Sequence, residues 1–312
     1  MSPVVRIGTR ASPLAQAQSR QMQARIAAAL GATPADADRV APLVLITTTG
    51  DRIQDRRLLE IGGKQLFTKE IEEALLEGRV DCAVHSMKDV PAVMPPGLVI
   101  AAVPEREDPR DAFISPDHAV FEALPHGAVL GTASLRRQAQ LLRRRPDLTV
   151  VMLRGNVGTR IDKLQRGEAA ASVLAMSGLN RLGLQHVARE AFDPIIAPPA
   201  PGQGALAIQT READATADWL RTLHDTDTEL AVAAERGALE ALEGSCRTAM
   251  GAHARLDGTA LSLVVEALTA DGSTRWRREG VADRIDLARA IALGRELGGH
   301  IRDEAGDRLE LG

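Results

Sequence analysis

Between residues 4 and 166 the chain repeats one local pattern three times: a short apolar strand, a turn of small residues, and a helix start that carries arginine. Val4–Gly8 is followed by Thr9-Arg10-Ala11-Ser12-Pro13 and a helix to about Leu30, with Ser12 as N-cap, Pro13 in the first helical position and Gly31 as the stop. Ala128–Gly131 leads through Thr132-Ala133-Ser134 into a helix that opens Leu135-Arg136-Arg137 and ends before Pro146. Thr149–Leu153 leads through the glycine loop Arg154–Arg160 into a helix to about Arg166. Strands that alternate with helices in this way predict parallel sheets of the α/β class. A helix N-terminus beside an arginine is suited to an anion.

The charge distribution points the same way. From Gly131 to Arg181 there are ten Lys/Arg against three Asp/Glu, in a chain whose net charge is −4. Such segregation focuses a positive field, and arginine grips carboxylates or phosphates through paired hydrogen bonds. Arg143-Arg144-Arg145 is read separately, as a solvated basic helix face. Arg181 lies shortly beyond a strand over Ala170–Ala175.

A second chemical focus is Val80–Pro91. Val80–Val84 reads as a buried strand, and His85–Pro91 then places Lys88 and Asp89 at its carboxyl end, where open α/β sheets bind ligands. Taken by itself, a Lys beside an Asp is more often a solvated loop pair. Before it, a strand over Leu43–Thr48 meets a turn at Thr49-Gly50-Asp51. The glycine-rich loop Gly62-Gly63-Lys64 then leads into a helix over Thr68–Glu77. That loop lacks the spacing of a nucleotide-binding phosphate loop.

Two polar, proline-marked segments divide the chain. Pro104–Asp111 follows a strand over Leu98–Val103, and Pro198–Gly204 precedes a strand over Gly204–Thr210. They predict two α/β lobes joined by two crossings, with a ligand cleft between the lobes. The expected domains are residues 1–104 plus 200–222, residues 105–199, and residues 223–312. The last is a smaller α+β domain. It opens with a capping box at Thr226-Asp-Thr-Glu229 and a helix to about Leu242. Strands over Met250–Leu256, Thr259–Thr269 and Ser273–Arg278 follow, joined by Asp-Gly turns at 257–258 and 271–272, and then a helix from Leu287 to about Glu304.

Composition narrows the function. With 312 residues the chain holds two or three domains. The net charge of −4 and the 2% of aromatic residues speak against a nucleic-acid binder. The N-terminal segment has no apolar stretch suited to a signal peptide, no run is long enough to span a membrane, and a reducing, cytoplasmic setting is expected. The two cysteines, Cys82 and Cys246, form no disulfide framework, and the seven scattered histidines show no metal spacing. Cys82 lies in an apolar strand and reads as a packing residue. Cys246 lies in a Gly-Ser loop beside Arg247, where a positive neighbour favours thiolate. At this level an enzyme with a reactive Cys246 and a two-lobed solute-binding protein that closes on an anion both remain open.

The motifs together resemble the porphobilinogen deaminase family over essentially the whole chain. The supporting stretches are Arg6–Ala15, Thr49-Gly-Asp51, Gly62–Phe67, His85–Pro91, Glu105–Phe113, Gly131–Gln138, Arg154–Arg160, Gly202–Ala205 and Leu242–Cys246. The resemblance implies two lobes like those of periplasmic binding proteins and a third domain that bears the cysteine. It also implies a dipyrromethane cofactor joined to Cys246 by a thioether, which primes the stepwise deamination and joining of four porphobilinogen molecules. Hydroxymethylbilane and ammonia would be the products, and the enzyme would be a monomer without nucleic-acid or membrane partners. By the same resemblance Asp89 would be catalytic. Lys88, Asp51, Ser134, Arg136, Arg137, Arg160 and Gln203 would bind the cofactor, and Arg10, Ser12, Lys64, Arg154 and Arg181 the substrate. The chain departs from the usual family pattern at Glu60, Ala133, Ser245 and Arg247-Thr248-Ala249.

Overall fold

The computed structural model describes residues 4–52, 67–243 and 248–309. Thirteen strands are present among them: β1 (Ile7–Arg10), β2 (Leu43–Ile46), β3 (Cys82–Ser86), β4 (Leu98–Ala102), β5 (Asp111–Ile114), β6 (Val129–Gly131), β7 (Thr149–Val151), β8 (Ala171–Ala175), β9 (Glu190–Ala191), β10 (Leu206–Arg211), β11 (Met250–Asp257), β12 (Ala260–Leu268) and β13 (Arg275–Ala282). The α-helices are α1 (Pro13–Ala29), α2 (Ala37–Val40), α3 (Thr49–Arg52), α4 (Lys69–Leu76), α5 (Leu135–Arg144), α6 (Val157–Gln165), α7 (Met176–Arg181), α8 (Asp218–Arg221), α9 (Thr226–Ala241) and α10 (Leu287–Ala305).

The chain divides into two compact units. The first comprises residues 1–54, 64–107 and 205–229, and the second residues 55–63, 108–204 and 230–312. The first unit holds a five-stranded sheet of order β2-β1-β3-β10-β4. The second holds another, β7-β6-β8-β5-β9, and the antiparallel sheet β11-β12-β13. The two five-stranded sheets share one plan. Three parallel strands are followed by an antiparallel one, β10 in the first and β5 in the second. Each of these antiparallel strands follows one of the two proline-marked crossings, so the crossings are built into the sheets they enter. The expected pair of α/β lobes with a double crossover, beside a smaller antiparallel α+β region, is the observed architecture.

In the first unit, apolar side chains of α1 (Met22, Ile26) meet Ile7, Val84 and Ile208 on one face of the sheet. Ile71 and Leu75 of α4 meet Ala83 and Leu98 in a second cluster. In the second unit Phe113, Phe121 and Phe192 stack edge to face with centroids 5.9 Å apart, against Leu130 and Val173. Cys82 is fully buried, and burial pushes its thiol up, as suits a packing residue.

Several boundaries differ from expectation. β1 begins at Ile7 rather than Val4 and extends to Arg10. β3 spans Cys82–Ser86 rather than Val80–Val84, because Val80 N donates to Ala74 O and is occupied closing α4. Thr49-Gly50-Asp51 opens the short helix α3 rather than a turn; Thr49 N and Oγ1 both donate to Glu70 Oε1, at 2.8 and 2.5 Å. The N-cap of α9 is Asp225, whose Oδ1 accepts from Thr228 N at 2.8 Å, and not Thr226. Glu229, expected to complete the box, lies 3.3 Å from His224 instead.

In the Arg143-Arg144-Arg145 run, Arg143 is exposed as expected, but Arg144 and Arg145 are half-buried. Arg143 donates to Gly272 O, Arg144 lies over the rings of Phe121 and Phe192, and Arg145 pairs with Asp147 and donates to the carbonyls of Leu124 and Pro125. Aromatic faces and loop carbonyls within reach made these arginines into ties, which helical periodicity alone does not reveal.

Gly258 (φ +60°) and Gly272 (φ +73°) form the two expected Asp-Gly turns. α9 and α10 pack on the sheet with very close backbones: a Cβ at Gly294 would lie 2.0 Å from Ala234 O and 2.8 Å from Ala238 N. Helix propensity alone predicts that Gly294→Ala stabilises by about 0.5–1 kcal/mol. The clash with backbone atoms outweighs it, because the helices must separate across a packed core. Urea denaturation of Gly294→Ala should show a net loss of about 2 kcal/mol or more.

Candidate active site

In the first unit β1 and β3 are parallel neighbours, Ile7 opposite Cys82 and Gly8 opposite Ala83, so Arg10 and Ser86 come to the same carboxyl end of the sheet. Met87–Asp89 then forms a single 3-10 turn. Met87 N donates to Ala205 O (3.0 Å) and Val90 N to Met87 O (3.1 Å), which fixes the turn between strand and return segment. Lys88 and Asp89 are half-buried there. Gln18 Nε2 of α1 donates to Ser86 Oγ at 2.9 Å, and Ser12 Oγ caps α1 by accepting from Ala15 N at 3.3 Å. The Arg10 guanidinium lies 4.1 Å from the centroid of the Phe67 ring.

A buried polar chain lies in the same sheet. Glu72 Oε1 accepts from Gln209 Nε2 (3.4 Å), which turns Gln209 Oε1 toward His85 Nε2 at 2.9 Å. His85 therefore carries its proton on Nε2. Burial, with a smaller contribution from the Arg10 charge, lowers its pKa to about 4, and burial raises that of Glu72.

The second unit gathers the arginines. Asp111, at the start of β5, is 2% exposed. Its Oδ2 accepts from Arg136 Nη1 at 2.6 Å; its Oδ1 accepts from Arg137 Nη2 (2.7 Å), Arg137 Nε (3.2 Å) and Gln203 Nε2 (2.9 Å). Burial alone would raise the Asp111 pKa, but the two guanidinium groups hold its carboxyl far below the usual range. Burial lowers the pKa of Arg136 against the attraction of Asp111. Ser134 caps α5 by accepting from Arg137 N, and Asn156 caps α6 by accepting from Thr159 N at 2.9 Å.

Arg160 lies on α6, and its Nε donates to Gly155 O at 2.8 Å. Its pKa is lowered to about 10, first by burial and then by the charges of Arg137 and Arg154. Arg137, Arg154 and Arg160 thus share one neighbourhood and repel one another. Arg181, at the end of α7, donates to Gly204 O at 2.7 Å.

The structure therefore brings Arg136, Arg137, Arg154, Arg160 and Gln203 together in the second unit, and Arg10, Ser12, Lys88 and Asp89 to one sheet end in the first. Lys64, Cys246 and the Asp51 side chain lie outside the described residues. Sequence reasoning missed Asp111 and the His85–Gln209–Glu72 chain. The available signal for Asp111 was an acidic residue at the head of the apolar run Ala112-Phe113-Ile114, which demands a cation once buried.

Among the described residues, Arg136 Nε and Arg154 Nη1 are buried donors without an acceptor. Unmet guanidinium donors amid like charges suit a ligand rich in carboxylates.

His85 yields a pH dependence. Below pH 6.5 the unfolded chain binds a proton that the folded chain refuses until about pH 4, so this part of the stability is full above 6.5 and is lost as the pH falls toward 4. Denaturation between pH 7.5 and 4.5 should show a decline that is shallower in His85→Gln, the difference reaching at most roughly 3 kcal/mol.

The family model "Porphobilinogen deaminase, dipyromethane cofactor binding domain" matches residues 5–218, and "Porphobilinogen deaminase, C-terminal domain" matches residues 229–303. A porphobilinogen deaminase of Caulobacter sp. (strain K31) is 66% identical over 313 residues, covering 98% of each chain. One of Phenylobacterium zucineum (strain HLK1) is 61% identical over 316 residues, covering 99% of each. Among solved structures, a methionine binding protein, MetQ, aligns over 70% of this chain and 87% of its own, at 15% identity and a TM-score of 0.43. Matched by two family models along most of its length, the chain belongs to the porphobilinogen deaminase family.

Proposed function

We propose that the protein joins four porphobilinogen molecules in sequence, with loss of ammonia, and releases hydroxymethylbilane. The observation that carries this reading is the buried arginine cluster with its unmet donors. Each pyrrole of this substrate class bears acetate and propionate groups, so the growing product is a polyanion. Arg136, Arg137, Arg154 and Arg160, with Lys88 and Ser134, bind those carboxylates, and Arg10, Ser12 and Arg181 hold substrate or the elongating chain. By the family resemblance Asp51 and Gln203 bind the cofactor and Lys64 binds substrate.

A dipyrromethane cofactor held through the Cys246 sulfur would supply, when bound, the pyrrole carbon to which the first substrate is joined. Asp89 acts on the substrate. As the C–N bond breaks and ammonia leaves, positive charge develops on the methylene-pyrrole, and a carboxylate at that point stabilises it. The same carboxylate moves protons on and off the amine and pyrrole nitrogens. It stands on a turn braced at Met87 and Val90.

The reading includes three domains, residues 1–104 plus 200–222, 105–199 and 223–312, in a monomeric cytoplasmic enzyme without a nucleic-acid partner. The net charge of −4 supports the last point. Among the described residues no helix is long and apolar enough to cross a membrane.

Intact mass should show a covalent adduct of about two pyrrole units on the purified protein, absent from Cys246→Ser, with stepwise heavier species after addition of porphobilinogen. A folded protein that never gains mass would overturn the reading and favour a binding protein without chemistry. Asp89→Asn should retain the adduct and lose roughly 10²–10⁴-fold in kcat, with KM changed only a few-fold.

A further inference from the structure

The helix that carries Arg136 and Arg137 is held along its length by the C-terminal sheet. Gln138 Nε2 donates to Ala270 O (3.2 Å) and Arg143 Nη1 to Gly272 O (3.3 Å). Ala139 packs with Ala249 and Leu268, and a Cβ at Gly272 would lie 2.3 Å from Ala139 O. In the midst of this contact stands a buried carboxylate, Glu266 of β12, 2% exposed.

Glu266 Oε1 accepts from Gln140 Nε2 at 2.8 Å. Gln140 Nε2 also donates to Pro198 O at 2.8 Å, and Gln140 Oε1 accepts from Arg136 Nη1 at 2.9 Å. An amide has two N–H donors and one oxygen. Here both donors meet groups that can only accept, so the oxygen is left for the guanidinium. The flipped amide would set its oxygen against two oxygens and its NH2 against a cation. The negative charge of Glu266 also attracts Arg136. The other charged groups facing Glu266 are Arg275 and Arg277, each with Nη1 3.8 Å from Oε2.

We propose that Glu266 is a positioning residue for the arginine site. It orients Gln140, which with Asp111 holds Arg136 Nη1 and so fixes the buried guanidinium whose Nε has no acceptor. The inference rests on the reading of Arg136 as a carboxylate ligand. Without Glu266, a buried N–H of Gln140 would lack an acceptor, and Gln140 would lower that cost by turning away from Arg136.

The test compares wild type, Glu266→Gln, Glu266→Leu, Gln140→Leu and the double Leu variant. The readouts are KM and kcat with porphobilinogen, primer occupancy by intact mass, and hydrogen exchange of the Arg136 Nε–H by ¹⁵N NMR. Glu266→Leu should raise KM about three- to tenfold, with kcat within about twofold, lower primer occupancy and faster exchange. Glu266→Gln keeps an acceptor for Gln140 and should stay within about twofold of wild type. Gln140→Leu should match Glu266→Leu, and the double variant should be no worse than either. If Glu266→Leu does not fold, Gln140→Leu and Glu266→Gln carry the same contrast. Wild-type KM and exchange in the Leu variants, or effects that multiply in the double variant, would overturn the proposal. So would a loss of melting temperature alone. A wild type without turnover would sink the parent reading, and the exchange rates would still decide the positional claim.

Discussion

Asp111 is the point on which the second unit depends. Placing two guanidinium groups in a protein interior costs several kcal/mol each unless a counter-charge of good geometry is present. Asp111 meets that requirement by accepting from Arg136, Arg137 and Gln203 at once. It stands at the first residue of β5, where the chain enters the second lobe, and Gln203 stands where the chain leaves it. Gln203 also donates to Pro109 O at 2.7 Å. One carboxylate thus ties the two crossings together and seats the arginines. It neutralises only one of the two positive charges it binds, and Arg154 and Arg160 add more. The surplus positive charge is what the polyanion of the proposed function would meet.

The first unit solves a different problem. Under the proposed function, a carboxylate that meets a developing cation has to stay in place while retaining access to the reacting atoms. Asp89 is carried on a single 3-10 turn at the end of a buried strand, braced by the return segment through Ala205. Beneath it the His85–Gln209–Glu72 chain satisfies three buried polar side chains with one another. The return strand β10 is again the support, since Gln209 belongs to it. In both lobes, therefore, the strand that follows the crossing also supports the candidate site residues.

The C-terminal sheet does more than follow the cysteine loop in sequence. Its hairpin turn at Gly272 and the Glu266 carboxylate brace the helix of Arg136 and Arg137. A tight approach at Gly272, where only a residue without Cβ fits, makes that bracing short and stiff.

Alternating apolar runs, cap residues and Asp-Gly turns were enough to indicate two α/β lobes, a double crossing and a three-stranded antiparallel region, because those signals are local. Small-residue turns and a dense positive run likewise mark Arg136, Arg154 and Arg160 as candidate anion ligands without any partner. What the sequence could not decide was pairing at a distance. Asp111 lies 25 residues from Arg136, Glu266 lies 126 from Gln140, and Gln209 lies 124 from His85. Arg144 and Arg145 read as solvent-facing until aromatic rings and loop carbonyls were brought beside them. Residue type and spacing set which groups seek a partner, through charge, hydrogen-bonding capacity and helical or strand period. Only the tertiary fold decided which partner each one met, because burial removes water as the alternative and leaves each charge the neighbours that topology supplies.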